Sequence, residues 1–182
     1  RDSLRFLLAA SGHNPRAHAS ATDFLALLPL PDAGCLVTDV RMPDMSGIDL
    51  LKAVGARQPD LPVVVVTGHG DIALAVEAMK LGALDFLEKP YPDDAMLTAV
   101  EAALGRGQSA APAASGEIAQ RLASLSPRER QVLEGVVAGK PNKVIAYDLD
   151  ISPRTVEVYR ANLMTKMQAS SLSHLVRLAL TA

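Results

Sequence analysis

Val63 to Thr67 read VVVVT, five β-branched residues in a row with no polar alternation. A strand of that composition is stable only where both of its faces are covered, which is the situation of an inner strand in a parallel sheet flanked by helices. Cys35 to Val40 (CLVTDV) is a second run of the same kind, and Pro15–Ser20 and Asp85–Glu88 bring the predicted strands to four. Helical periodicity fills the intervals over Asp2–Ser11, Ala21–Leu28, Gly47–Arg57, Asp71–Leu81 and Asp93–Leu104. Entry signals support these helices: Ser46 stands three residues before Asp49, and Pro92-Asp93-Asp94 opens the fifth. The alternation predicts an α/β doubly wound sheet, whose first strand normally lies in the middle. Because the sequence opens on a helix, the expectation is that it starts one strand late, by about 15 residues.

The chain has 182 residues, more than one small domain needs. Arg106 to Gly116 (RGQSAAPAASG) has no apolar periodicity and reads as a tether, which divides the chain into residues 1–105 and 117–182. Charge divides there too. Residues 1–110 carry 14 acids and 9 bases, whereas residues 111–182 carry 6 acids and 9 bases. The second part could therefore touch a polyanion. With 49% apolar and 21% charged residues the composition is that of a globular protein. A run of 18 apolar residues and a signal peptide are both missing from the sequence, so a cytoplasmic location and no membrane partner are expected. Cys35 has no second cysteine to pair with, and His13, His18, His69 and His174 are scattered without metal-ligand spacing.

Asp39, Thr67 and Lys89 each stand at the carboxyl end of a predicted strand, where the ligand crevice of an open parallel sheet lies. Together they make a phosphoacceptor site: a carboxylate to attack a phosphoryl group, an ammonium to neutralise its oxygens, and a hydroxyl to donate to them. A divalent cation, most naturally Mg²⁺, would shield the anionic nucleophile from the anionic donor. Taken singly each residue has an ordinary role: Asp39 as a turn residue or cap, Thr67 as a strand residue, Phe86 as core.

VTDVRMPDMSGIDLL around Asp39, VTGHGD around Thr67 and GALDFLEKP around Lys89 resemble the receiver domain of two-component response regulators, over Arg1 to about Leu104. The resemblance implies a flavodoxin-like fold and phosphorylation of Asp39 by a partner sensor histidine kinase. It implies a metal contact from Asp39 and from the Arg41 carbonyl, Thr67 and Lys89 acting on the phosphoryl group, and Phe86 as an aromatic switch. Receivers also carry a pair of acidic metal ligands before their first helix. That pair is missing here, so Mg²⁺ binding and phosphorylation of the chain as given are expected to be poor.

In the second part, Asn142–Leu149, a tight turn at Asp150-Ile151-Ser152 and Pro153–Met167 have helix-turn-helix spacing within a set of four helices. Ser126-Pro127-Arg128-Glu129 reads as a capping box, and Ser152-Pro153 repeats the cap-plus-proline signal. Val156, Tyr159, Leu163 and Met167 share an inward stripe, leaving Arg154, Glu157, Val158 and Ala161 to meet bases. Lys143, Thr155, Arg160 and Lys166 suit phosphates. Leu172, Leu175, Val176 and Ala179 recur at helical spacing toward the end, facing either core or a partner.

LSPRERQVLEGVVAGKPNKVIAYDLDISPRTVEVYRANLMTKM resembles the LuxR/NarL-type output domain, and the whole chain resembles response regulators of the FixJ type. The resemblance implies a transcriptional activator of nitrogen-fixation-type genes. Such an activator reads double-stranded promoter DNA, forms a homodimer on phosphorylation through a face near Ala75, Met79, Ala83 and Leu84, works with RNA polymerase, and is not an enzyme. Two alternatives stay open: a phosphorylation-independent regulator with a degenerate receiver, and a phosphatase with Asp39 as nucleophile. Against the latter, Arg41 stands where such enzymes commonly carry a general-acid aspartate.

Overall fold

The structure, a computed structural model, describes residues 2–30, 34–68, 72–105 and 114–180. Two compact units divide the chain, one formed by residues 1–69 and 81–109, the other by 70–80 and 110–182.

In the first unit the strands β1 (Leu36–Asp39), β2 (Val63–Thr67) and β3 (Asp85–Glu88) form a parallel sheet in the order β1-β2-β3. Val64 pairs with Val37 on one side and with Asp85 on the other. Every residue of β2 is buried, as the VVVVT run requires of a central strand. On one face, Val64, Val66 and Leu87 pack with Leu8 of helix α1 (Asp2–Ala10) and with Met96, Ala99, Val100 and Ala103 of α5 (Asp93–Gly105). Val63, Val65 and Phe86, which alternate to the opposite face, are buried too. Cys35 is half-buried at the first face's margin, and burial pushes its thiol pKa up.

Helices α2 (Ala21–Leu25) and α3 (Gly47–Arg57) pack against each other. Both start as the sequence predicts. Ser20 accepts a hydrogen bond from the Asp23 amide at 3.0 Å, and Ser46 one from the Asp49 amide at 3.1 Å. α2 ends three residues early because Leu28 precedes Pro29, and a residue before proline is disfavoured in the helical region. Arg57 Nη1 donates to the Leu25 carbonyl at 3.0 Å, alongside the Leu28 amide at 3.3 Å.

One predicted strand is not formed. Residues 15–20 are irregular, and among the described residues no strand offers them a ladder partner. β propensity without a paired edge does not make a strand.

Among its described residues the second unit has five further helices where four were expected: α6 (Ala114–Ala123), α7 (Pro127–Val137), α8 (Asn142–Asp148), α9 (Pro153–Met167) and α10 (Leu172–Leu180). α6 is the unexpected one. It takes Ala114 to Gly116 out of the predicted tether, the rest of which, 106–113, lies outside the described residues. Its buried Ile118 explains why it forms, since a single well-placed apolar residue docks it where composition alone suggested a linker. Grouped with this unit is α4 (Ile72–Lys80). Val132, Val136, Ile145, Val156, Leu163, Met167, Leu175 and Val176 form the apolar interior of α7 to α10, each 2% exposed or less. Leu175 and Val176 are thus core, while Leu172 and Ala179 are half-buried. No described helix is long and apolar enough to cross a membrane.

Candidate functional sites

Parallel pairing places Asp39 beside Val66, one residue short of Thr67, and Thr67 beside Glu88, one residue short of Lys89. The three side chains named from the sequence therefore come off the same end of adjacent strands, and the Lys89 amide donates to the Thr67 carbonyl at 2.9 Å to hold the last step. Lys89 Nζ reaches Asp39 Oδ2 at 2.6 Å. The other carboxylate oxygen, Oδ1, accepts from the Arg41 amide at 3.0 Å, which fixes the loop after β1 around the acceptor. The Asp39 side chain is one-third exposed, open enough for a donor to approach. Thr67 is buried, and its hydroxyl donates to the Gly68 carbonyl at 3.3 Å. Phe86 is buried on the face of β3 opposite Leu87.

Two residues that the sequence reading passed over support this site. A Cβ on Gly47 would lie 2.2 Å from the Asp39 carbonyl oxygen, so only glycine lets α3 start this close to the acceptor's backbone. Asp44 Oδ2 accepts from the amides of Ala21 and Thr22 at 3.0 and 3.3 Å, tying the acceptor loop to the start of α2. A glycine just after a helix cap was the available signal for the first; nothing local signalled the second.

The described residues make only part of a Mg²⁺ site. Of the expected ligands, the Asp39 carboxylate already accepts hydrogen bonds on both oxygens, and Arg41 meets it through its amide. No group of three or more potential ligands forms among the described residues. A dication that keeps several waters and is held by one or two carboxylates finds one here, already shared with a lysine ammonium, so it would be held weakly.

In the second unit α8 and α9 flank a turn in which Asp150 takes φ of 54°. Ser152 caps α9 by accepting from the Thr155 amide at 3.0 Å, and the two hydroxyls share a hydrogen bond of 2.8 Å. Arg154, Glu157, Val158 and Ala161 are exposed along α9, as expected, and Lys143 is exposed on α8. Val156, Leu163 and Met167 are fully buried, whereas Tyr159 is only half-buried.

Two bases expected to face phosphates each have a partner within the unit. Arg160 Nη1 donates to Asn142 Oδ1 at 2.7 Å, joining α9 to the start of α8. Lys166 Nζ lies 2.7 Å from Oε2 of Glu129, a residue only 4% exposed. A buried carboxylate left without such a partner is costly. Hydrogen bonds from Lys166 and from the Ser126 amide hold the Glu129 pKa below its ordinary value, against the opposing effect of burial. Ala75, Met79, Ala83 and Leu84, expected at a dimer face, are each buried. His69 lies outside the described residues.

Comparison with known proteins identifies the family of both units. The response regulator receiver domain profile matches residues 1–101, and that of the bacterial regulatory proteins of the luxR family matches residues 123–179. The chain is 57% identical to the transcriptional regulatory protein FixJ of Bradyrhizobium diazoefficiens over all of its own length and 90% of that protein's. It is 60% identical to FixJ of Azorhizobium caulinodans, over its whole length and 87% of the relative's. Among solved structures, full-length FixJ from B. japonicum superposes with a TM-score of 0.57 at 57% identity, covering 98% of this chain and 89% of that one. The response regulator StyR gives 0.54 at 40% identity, covering 100% and 93%.

Proposed function

This chain belongs to the response regulators, with a luxR-type DNA-binding domain after its receiver, and from that premise we propose a transcriptional activator switched by phosphorylation of Asp39. The observation that carries the reading is the 2.6 Å contact between Lys89 Nζ and Asp39 Oδ2 at the strand ends where Thr67 also stands.

An Asp39 carboxylate oxygen attacks the phosphorus of a phosphohistidine on a partner sensor histidine kinase. The new O–P bond forms as the P–N bond breaks, and the imidazole leaves with the electron pair. Lys89 keeps its charge throughout and follows the negative charge outward from the carboxylate to the phosphoryl oxygens. Thr67 exchanges its Gly68 carbonyl for a phosphoryl oxygen, a stronger acceptor. That rotation alters the space beside β3, where Phe86 adjusts, and the altered surface favours a homodimer whose two helix-turn-helix elements read a two-fold-symmetric promoter. Receivers in general bind Mg²⁺, and here that would need acidic ligands beyond those described, so no step depends on it.

Identity to FixJ across the whole chain supports nitrogen-fixation-type genes as targets, and a cytoplasmic protein that recruits RNA polymerase at their promoters. The test is promoter binding by the natural protein before and after acetyl phosphate with Mg²⁺, beside Asp39→Asn. Enhanced binding by the wild type alone is expected. An equal response from the Asn variant overturns the assignment of Asp39, and no response from either favours a regulator that works without phosphate.

A further inference from the structure

We propose that Glu129 is a positioning residue for the recognition helix: its carboxylate grips Lys166 and so sets the angle at which α9 meets DNA, while Lys166 itself contacts no phosphate. The proposal rests on the DNA-binding reading above and deepens it.

One oxygen carries the arrangement. Glu129 Oε2 accepts from the Ser126 amide at 2.8 Å, closing the capping box of α7, and from Lys166 Nζ at 2.7 Å. The start of α7 is thereby locked to the last turn of α9. Nearby, Arg121 Nη1 donates to the Met167 carbonyl at 3.3 Å, so α6 holds the same end of α9. With Glu129 only 4% exposed, withdrawing Lys166 would leave a buried carboxylate short of its counter-charge. Swinging Lys166 away from Glu129 to reach a phosphate would carry that penalty.

The grip sits far from the bases. Arg154 and Lys166 are twelve residues apart, about 18 Å along a helix rising 1.5 Å per residue. A tilt of roughly three degrees at Lys166 then displaces Arg154 by about 1 Å. Hydrogen bonds to base edges fail at that displacement, whereas contacts with phosphates tolerate it. Loss of the grip should therefore lower discrimination between sequences more than general affinity.

The experiment uses the full chain treated with acetyl phosphate and Mg²⁺. One probe is a duplex that the wild type selects from a random pool, the other a shuffled duplex of the same composition, both titrated with salt at a temperature where far-ultraviolet circular dichroism shows every variant folded. Glu129→Gln and Lys166→Met should each lower the selected-over-shuffled ratio about tenfold. The double variant should be no worse than the worse single one. Lys166→Arg should restore the ratio, and the salt slope should stay that of the wild type in all of them. A slope flattened by about 0.9 on both duplexes in Lys166→Met would make Lys166 a phosphate ligand and overturn the proposal. An unchanged ratio in Lys166→Met, or additive losses in the double variant, would overturn it equally. If Glu129→Gln does not fold, the Met and Arg variants of Lys166 decide alone. Failure of the wild type to select any duplex would instead sink the DNA-binding reading.

Discussion

Lys89 and Asp39 are 50 positions apart in the chain, yet Lys89 Nζ lies 2.6 Å from Asp39 Oδ2 because β1 and β3 flank the same central strand and end at the same level. The pair is partly exposed, with the lysine side chain about half open to solvent, so its contribution to folding is small, under about 1 kcal/mol. Its value lies in the charge it presents to an incoming phosphoryl group. Lys89→Gln should leave the urea midpoint nearly unchanged and slow formation of the Asp39 acyl phosphate by about 10²-fold, measured as alkali-labile label from radioactive acetyl phosphate. A large loss of stability with unchanged labelling would mean that the pair is structural.

Gly47 makes a prediction about the backbone under the site. A Cβ there would meet the carbonyl oxygen and carbon of Asp39 at 2.2 and 2.9 Å, both backbone atoms with little freedom to yield. Gly47→Ala should destabilise the first unit by about 1–3 kcal/mol and reduce labelling of Asp39. Gly55 is the control: it lies on the same helix with nothing within 4 Å of an added Cβ, and Gly55→Ala should stabilise by up to about 1 kcal/mol. Equal urea midpoints for the two variants would refute the close-approach account.

These residues also mark how much was legible in the sequence. Val63–Thr67, Gly47–Arg57 and Asp85–Glu88 end where the pattern said they would, since each boundary is set locally, by a cap or by the end of an apolar run. The convergence of Asp39 with Lys89 followed from the rule that strand ends share one edge of a parallel sheet. Residues 15–20 defeated the same reasoning, because a strand exists only through its neighbour and no sequence window contains the neighbour. Lys166 hid its partner for a related reason. Its exposure on the helical wheel was read correctly, but Glu129, 37 residues earlier, was recognised only as a cap, and the capping box gives no sign that its carboxylate has a second donor.

Glu129 carries a pH dependence whose sign is fixed. Its folded-state pKa is depressed below the ordinary 4.5, first by the hydrogen bond from Lys166, then by the Ser126 amide. The stability it contributes is complete above the unfolded-state pKa and is lost as pH falls through the depressed folded value. In urea titrations of the helical unit between about pH 5 and 3, the wild type should lose more stability than Glu129→Gln, whose amide does not titrate. Parallel curves would show that folding leaves the Glu129 pKa unshifted.

Charge accounting on DNA separates the remaining bases. Lys143 and Arg154 are exposed, whereas the Arg160 guanidinium is bound to Asn142 at 2.7 Å. Lys143→Ala should flatten the slope of log affinity against log salt by about 0.9 on any duplex, the signature of one neutralised phosphate. Arg154→Ala should keep more of the slope and lose about 1–3 kcal/mol of discrimination at a single base pair. Arg160→Ala should weaken binding without flattening the slope, because what it removes is the tie that sets α8 against α9. A slope change in the Arg160 variant as large as that of Lys143→Ala would mean that the guanidinium leaves Asn142 on binding and becomes a phosphate ligand after all.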